Sequence, residues 1–390
     1  MFILFIIVFI NLVGFGIIIP LLPFYGEHYG ASPDQVTLLM ALYSAAQLVS
    51  APLWGRLSDK YGRKPILLVS LFGTVLAYIG LAVAPDLISL YLTRAWGGVM
   101  AGSISSAFAY MADITSDEDR AKGMGLIGAA FGLGFIAGPA IGGFLAGSDV
   151  ANTNFTLPSY TAAGFSGLAL ILATFILKES LPPELRSSSG SSNRGWARFT
   201  AMITQPEIRN ILILTFMSVF VFAALEATFA MWTERTLGWG VAQNGYVFAY
   251  TGIFSAFIQG VLIGPMAKKW GLPLLIKQGL IGLLLGLLII PFAETIWSLL
   301  IGMTVVTYGF SLTSPALSGQ LSLQISGTNQ GSILGMSRSV STLARALGPA
   351  CSGYVFVFLG KDWPFLIGAL LIFIVLLTSF IVRPSPTKNV

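Results

Sequence analysis

The sequence predicts an all-α membrane protein, with twelve transmembrane helices in two pseudo-symmetric six-helix bundles. Three observations carry this. Of 390 residues, 55% are hydrophobic and 9% charged, where a soluble domain carries roughly 25% charged residues, so most of the chain faces hydrocarbon. Twelve apolar runs reach the roughly 20 residues that a bilayer core of about 30 Å demands of a helix. Two sequence motifs recur at a nearly constant offset, one copy in each half.

The apolar runs are 2–24, 36–55, 66–84, 87–111, 121–146 and 160–178, then 208–232, 243–267, 272–292, 295–318, 331–357 and 363–382. The first is too long for the apolar core of a signal peptide and lacks a basic leader, so a retained first helix is expected. Between the two sets, residues 179–207 are polar and rich in Pro, Ser and Gly, the composition of a flexible linker. The expected organisation is a bundle over 1–178, the linker, and a bundle over 208–390.

Loop charge sets the orientation. If the N-terminus lies inside, sixteen of the 21 Lys and Arg fall in inner loops, including Arg56, Arg63, Arg120, Arg186, Arg194, Arg198, Lys268, Arg383 and Lys388. Only Arg235 and Lys361 fall in outer ones. That bias places both termini in the cytoplasm, and the expected location is a plasma or inner membrane. The net charge of +5 is spread over short loops and makes no basic face for nucleic acid. One His (His28) and one Cys (Cys351) supply no metal set and no disulfide, so no metal, cofactor or intramembrane catalytic centre is expected. The sequence holds no phosphate-cradling loop for ATP.

The repeat reads Gly55-Arg-Leu-Ser-Asp-Lys-Tyr-Gly-Arg-Lys-Pro65 against Gly264-Pro-Met-Ala-Lys-Lys-Trp-Gly-Leu-Pro273, an offset of 209. Gly138-Pro139-Ala140 with Gly143 returns as Gly348-Pro349-Ala350 with Gly353, an offset of 210. Internal repeats with a binding site between the halves suit alternating access, in which one bundle rocks against the other.

The Gly55–Pro65 stretch is dense in charge, and its glycines permit a tight turn between helices. Asp59 is placed to meet the positive end of a helix, and the charge-free stretch before the eleventh helix offers such an end. The fifth helix is stripped of side chains at Gly128, Gly132, Gly134, Gly138, Gly142 and Gly143, which permits close backbone contact in lipid, while Pro139 bends it. Packing alone accounts for that pattern.

The Gly55–Pro65 loop, Arg94 in Leu92-Thr-Arg-Ala-Trp-Gly-Gly98, and the run Gly128 to Gly143 resemble three signature motifs of the major facilitator superfamily. The third is associated with its antiporters. Tyr110-Met-Ala-Asp-Ile-Thr115, Gly238-Trp239 and Pro315-Ala-Leu-Ser-Gly319 are similar to the tetracycline/proton efflux branch. The resemblance implies a gating network of Gly55, Asp59, Gly62, Arg63, Lys64, Asp113 and Arg120, and a supporting role for Arg94. It also implies a secondary transporter with a small-molecule substrate, protons as partners and no cofactor, working as a monomer. Against the pattern, the first helix carries Asn11 where the efflux proteins carry an acid, and the third and ninth helices are apolar around Ala77 and Gly282. Asn11 cannot ionise.

Of sixteen acids, only Glu226 lies deep in an expected span. Such groups are costly there and face the bundle interior. Glu226 is eighteen residues into the seventh helix and Arg345 fourteen into the eleventh, a depth difference of roughly 6 Å at about 1.5 Å per residue. An ion pair between them is expected at the cavity. If conformational change separated it, the carboxyl would take up a proton. A permanent pair that only fixes packing is the alternative. Further cavity candidates are Asn11, Tyr43, Gln47, Tyr250, Gln259, Tyr308 and Gln320, with Phe131, Phe222, Phe229 and Trp232 as apolar walls, a mix suited to an amphipathic ligand. Most aromatics in twelve helices serve as filler or face lipid. The leading expectation is an exporter of a small amphipathic molecule by proton antiport. A proton-independent facilitator or lipid-like-solute transporter of the same fold stands beside it, and a non-transporting receptor stands further off.

Overall fold

The computed structural model describes residues 1–116, 119–186, 204–324 and 330–379. Most of the expected linker, with Arg194 and Arg198, lies outside them. So do Arg383, Lys388 and residues 325–329 of the charge-free stretch before the eleventh helix. Every regular element among the described residues is helical.

The first span is α1 (Phe2–Ile18) followed by α2 (Leu22–His28), bent by 41°. One continuous helix was expected. Pro20 and Pro23 each lack the N–H that a continuous helix needs, which accounts for the break. Next comes α3 (Pro33–Tyr61), opened by a capping box between Ser32 and Gln35. Then follow α4 (Arg63–Ala82), α5 (Leu87–Ala101) and α6 (Ile104–Asp113), the last two forming one span interrupted at Gly102-Ser103. The first half closes with α7 (Arg120–Ala146) and α8 (Thr156–Ile176).

The second half holds α9 (Pro206–Leu237), α10 (Val241–Phe257), a π-turn over Ile258–Leu262 and α11 (Ile263–Trp270). It continues with α12 (Leu272–Ile289), α13 (Ile296–Leu323), α14 (Gln330–Leu359) and α15 (Trp363–Ser379). Among the described residues nine helical stretches are long and apolar enough to span a membrane, and the bent α1–α2 pair makes ten. The α5–α6 pair and the shorter apolar α15 bring the segments to the twelve expected.

The repeat appears in the backbone. Gly62 ends α3 at φ +105°, and Gly271, 209 residues on, ends α11 at φ +74°. Both adopt the positive φ that favours glycine. Gly55, expected to help make that turn, lies inside α3, where a Cβ would meet nothing within 4 Å. The hairpin is therefore tighter than its sequence indicated, and turns on one residue.

By contacts the chain forms two compact units, Met1–Gly190 with Phe229–Gly252, and Ser191–Thr228 with Ile253–Val390. Within the first, α1 packs on α7 and α8, and α3 packs on α5. Lipid offers no hydrophobic drive between helices, so these contacts rest on close approach and side-chain hydrogen bonds. Trp54 Nε1 donates to the Val99 carbonyl at 2.6 Å, Ser50 Oγ to the same oxygen at 3.0 Å, and Trp96 Nε1 to the Gly73 carbonyl at 2.9 Å. In the second unit α12 and α13 interlock through small residues: a Cβ on Gly282 would stand 3.0 Å from the Gly309 Cα, and one on Gly286 would stand 2.9 Å from the Gly302 carbonyl oxygen.

Candidate functional site

At the α3–α4 turn, Arg63 Nε lies 3.0 Å from Asp113 Oδ2 on α6, and Arg63 Nη1 donates to Ser58 Oγ at 2.9 Å and pairs with Asp59. Helix α3 runs on to Tyr61, so Asp59 stands in its last turn, one turn before Arg63, instead of at a helix start. The positive end of α4 is met by an acid that sequence reading did not single out. Glu179, just past α8, accepts the backbone N–H of Arg63 at 2.8 Å and of Lys64 at 3.2 Å. This satisfies two of the four open donors at that helix end and places a charge against its dipole. Lys64 Nζ reaches the Thr174 carbonyl at 2.9 Å, Ser180 Oγ donates to Asp113 Oδ2 at 3.0 Å, and Tyr110 donates to the Lys178 carbonyl at 2.6 Å. The turn, α6 and the exit of α8 are thereby tied into one knot on the side that carries the basic loops. Arg120 opens α7 nearby in sequence.

Gly62 is fixed by this knot twice over. Its φ is positive, and a Cβ would collide with the Glu179 carboxylate. Gly62→Ala is expected to lower stability by about 1–3 kcal/mol through the strained φ and the displaced carboxylate. Thermal unfolding in detergent measures it, with Gly55→Ala as a control expected to unfold within about 1 °C of the parent.

The glycines of α7 divide into two groups. Gly134 and Gly138 face α1: a Cβ at Gly138 would lie 2.5 Å from the Gly16 Cα, and one at Gly134 would lie 2.7 Å from the Leu12 Cβ. At Gly142 a Cβ would run into the Ile17 carbonyl, while at Gly143 it would lie 3.1 Å from the Ala242 Cα. Gly245 of α10 in turn presses on the Pro139 carbonyl. Gly128 and Gly132 have nothing within 4 Å of a Cβ. In the second unit a Cβ at Gly348 would run into the Phe220 carbonyl of α9, which repeats the job of Gly138 at the expected offset.

At the end of the first unit away from the basic loops, Arg235 on α9 pairs with Glu27 on α2 at 2.8 Å. Close by, the Ala242 N–H donates to the Gly147 carbonyl at 3.2 Å. Sequence reading took Arg235 as a loop charge, and nothing local marked Glu27 as its partner. Asn244 is fully buried and bonded to Thr233 at 2.9 Å, a buried polar pair that holds α9 and α10 together.

Arg94 on α5 is buried, with 6% of its surface exposed. Its guanidinium carbon lies 4.2 Å from the centroid of the Tyr43 ring, and its Nε has no hydrogen-bond partner among the described residues. It lines a narrow pocket with room for about one water-sized group, with Tyr43, Thr74, Ala77, Tyr78, Thr93 and Gly97 among the lining residues.

In the second unit, Arg345 Nη1 of α14 stands 3.4 Å from Glu226 Oε2 of α9, with side chains 38% and 17% exposed. The pair is longer than an ideal charged hydrogen bond. Phe222, one helical turn away, stacks on Phe310 with centroids 3.9 Å apart.

The remaining candidates fall in several places. Asn11 accepts from Ser166 Oγ at 2.9 Å, and Gln47 donates to the Ala101 carbonyl at 3.3 Å, so both bind helix to helix. Phe131 packs against the α1–α8 cluster. Phe229 and Trp232 are fully buried. Tyr250 is 39% exposed. Gln259 sits in the π-turn and donates to Ser255 at 2.8 Å, whose hydroxyl meets Ser311 at 2.7 Å. Tyr308 and Gln320 are partly exposed on α13. Among the described residues no cluster of His, Cys, Asp and Glu could hold a metal.

Apolar helices sealed by glycine, a knotted charged turn and a sparse set of buried charges define a multi-pass membrane transport protein. The chain belongs to the Major Facilitator Superfamily, whose model matches residues 4–349 and again 260–390. It is 31% identical over 369 residues to the tetracycline resistance protein, class C, of Escherichia coli, covering 91% of this chain and 89% of that protein. It is 30% identical to multidrug resistance protein 2 of Bacillus subtilis, over 92% and 89% of the two chains. Among solved structures it resembles the human organic anion transporter MFSD10, with TM-score 0.74 and 25% identity over 97% of this chain and 98% of that one.

Proposed function

We propose that the chain is a secondary transporter that exports a small amphipathic molecule by alternating access, driven by proton antiport. The observation that carries this reading is the near-full-length likeness to tetracycline and multidrug resistance proteins. In this reading two six-helix bundles, 1–178 and 208–390, joined by a cytoplasmic linker over 179–207, rock about a central cavity. Both termini lie in the cytoplasm, and the protein acts as a monomer in a plasma or inner membrane. The knot of Asp59, Arg63 and Asp113 holds one inner-side arrangement. The Glu27–Arg235 pair closes the opposite end of the first unit in the other.

Proton coupling falls to Glu226, because the position at which the branch carries its first-helix acid is Asn11, which is engaged with Ser166. Arg345 stands 3.4 Å from Glu226 as its one ion-pair partner among the described residues, and separation of the two in the transport cycle is the step assigned to proton uptake by the carboxyl. The same substitution favours a second reading, a proton-independent facilitator, with which the organic anions named for MFSD10 are compatible.

Reconstitution in liposomes separates the two. One-to-one antiport predicts that an imposed gradient of one pH unit raises substrate accumulation by up to about tenfold over the gradient-free level, since one pH unit of driving force is worth about 1.4 kcal/mol. Equal accumulation with and without the gradient would leave the facilitator. Cysteine labelling of the Gly55–Pro65 hairpin is expected only from the cytoplasmic side.

A further inference from the structure

We propose that Arg94 is an anion-binding group, and that the pocket above Tyr43 takes one small anionic group, either a free halide or the carboxylate of the transported molecule. A guanidinium presents five donors and stays charged at all working pH. Buried in a membrane protein, such a cation is paired or hydrogen-bonded, because isolation from water is costly. Here its exposure is 6%, yet its Nε is unpartnered and no carboxylate lies against it among the described residues. The first-helix side chain that could have been an acid is Asn11, whose oxygen is occupied by Ser166. The one counter-element is the Tyr43 ring at 4.2 Å, which attracts a cation through its face and leaves the edge donors open.

The pocket has the shape for such a guest. Thr74 donates its hydroxyl to the Ser70 carbonyl at 2.9 Å and Thr93 its own to the Leu90 carbonyl at 2.9 Å, so both hydroxyl protons are taken up within their own helices. Ala77, Leu81 and Gly97 make the rest of the lining apolar. The lining residues that carry donors are Arg94, Tyr43, Tyr78, Thr74 and Thr93, and no acid is among them. A site with donors and no acceptor of negative charge selects anions. Its narrowness limits the guest to a single ion or to one oxygen of a carboxylate reaching in from the mouth, which excludes a bulky polyanion. The carboxylate arm rests on the transport reading above, whereas the halide arm does not. In the carboxylate case the preferred substrates are amphipathic acids, and cationic drugs are disfavoured.

The test uses the purified full chain in detergent, exchanged into a methanesulfonate buffer. Sodium chloride, sodium bromide and sodium benzoate are titrated separately while thermal unfolding is followed. A probe present at about tenfold over its dissociation constant is expected to raise the Tm by about 2–4 °C, with the rise absent in Arg94→Gln and retained in part in Arg94→Lys. A response to halide alone assigns the site to a free anion. A response to benzoate, joined by benzoate counterflow in liposomes, assigns it to substrate. If Arg94→Gln does not fold, an anomalous bromine peak beside the Arg94 guanidinium in wild-type crystals serves the same purpose. No Tm response to any of the three, or an equal response in Arg94→Gln, overturns the proposal. Transport of some other compound in the same liposomes would leave the transporter reading standing.

Discussion

Gly142→Ala is expected to yield little or no correctly folded protein. A methyl group there would run into the Ile17 carbonyl, part of the α1 backbone, and backbone in a packed seam has no rotamer through which to yield. Overpacking a well-filled interior typically costs 1–3 kcal/mol where side chains can adjust. A clash with main chain on both sides lies at or above the top of that range. The neighbouring Gly138 behaves alike, since its Cβ would lie 2.5 Å from the Gly16 Cα. Gly128→Ala is the contrast. With nothing within 4 Å of its Cβ, the change meets no obstacle, and the better helix propensity of Ala favours the folded state by up to about 1 kcal/mol. Fluorescence size-exclusion profiles and thermal unfolding of the three variants read this directly. A monodisperse, normally stable Gly142→Ala would show that the α1–α7 seam is not closed as described.

That contrast also shows what the sequence made legible. A run of glycines with one proline announces a helix with a bare face, but not which glycines are in contact. Gly142 and Gly128 are the same residue type in one motif and differ only in what the partner helix brings, which is tertiary information. Spans and repeat were readable because lipid imposes a length and a composition on each helix. The Glu226–Arg345 distance was within reach of the sequence for a related reason: charge is so scarce at membrane depth that few pairings exist.

Where charge is plentiful the same reasoning stops. Glu179 lies 116 residues from Arg63 in sequence, at the head of a polar, Pro-rich stretch where an acid attracts no notice. Its task, to close the start of α4, depends on where α8 ends in space. Glu27 and Arg235 lie 208 residues apart, and each looks like an ordinary loop charge. The break between α1 and α2 was signalled by Pro20 and Pro23, but an apolar run reads the same whether its helix is straight or bent by 41°.

Glu226→Gln is expected to abolish gradient-driven accumulation, a loss of up to about tenfold per pH unit imposed, while substrate counterflow continues. The amide keeps the shape and can still accept a hydrogen bond from Arg345, but it has no proton to exchange. The stability cost should be modest, about 1 kcal/mol, because the arginine is 38% exposed. The double variant Glu226→Gln with Arg345→Gln then decides what the pair does. If it only holds α9 to α14, removing both charges restores both stability and gradient-driven transport, because no unpaired charge is left behind. If the pair opens and closes in the cycle, the double variant recovers its Tm but not its coupling, since the titrating group is gone. The second outcome is expected. The 3.4 Å separation describes a contact loose enough to break, and no other acid among the described residues lies so deep in a span. A double variant that regains pH-driven accumulation would remove Glu226 from the coupling step and return the pair to packing.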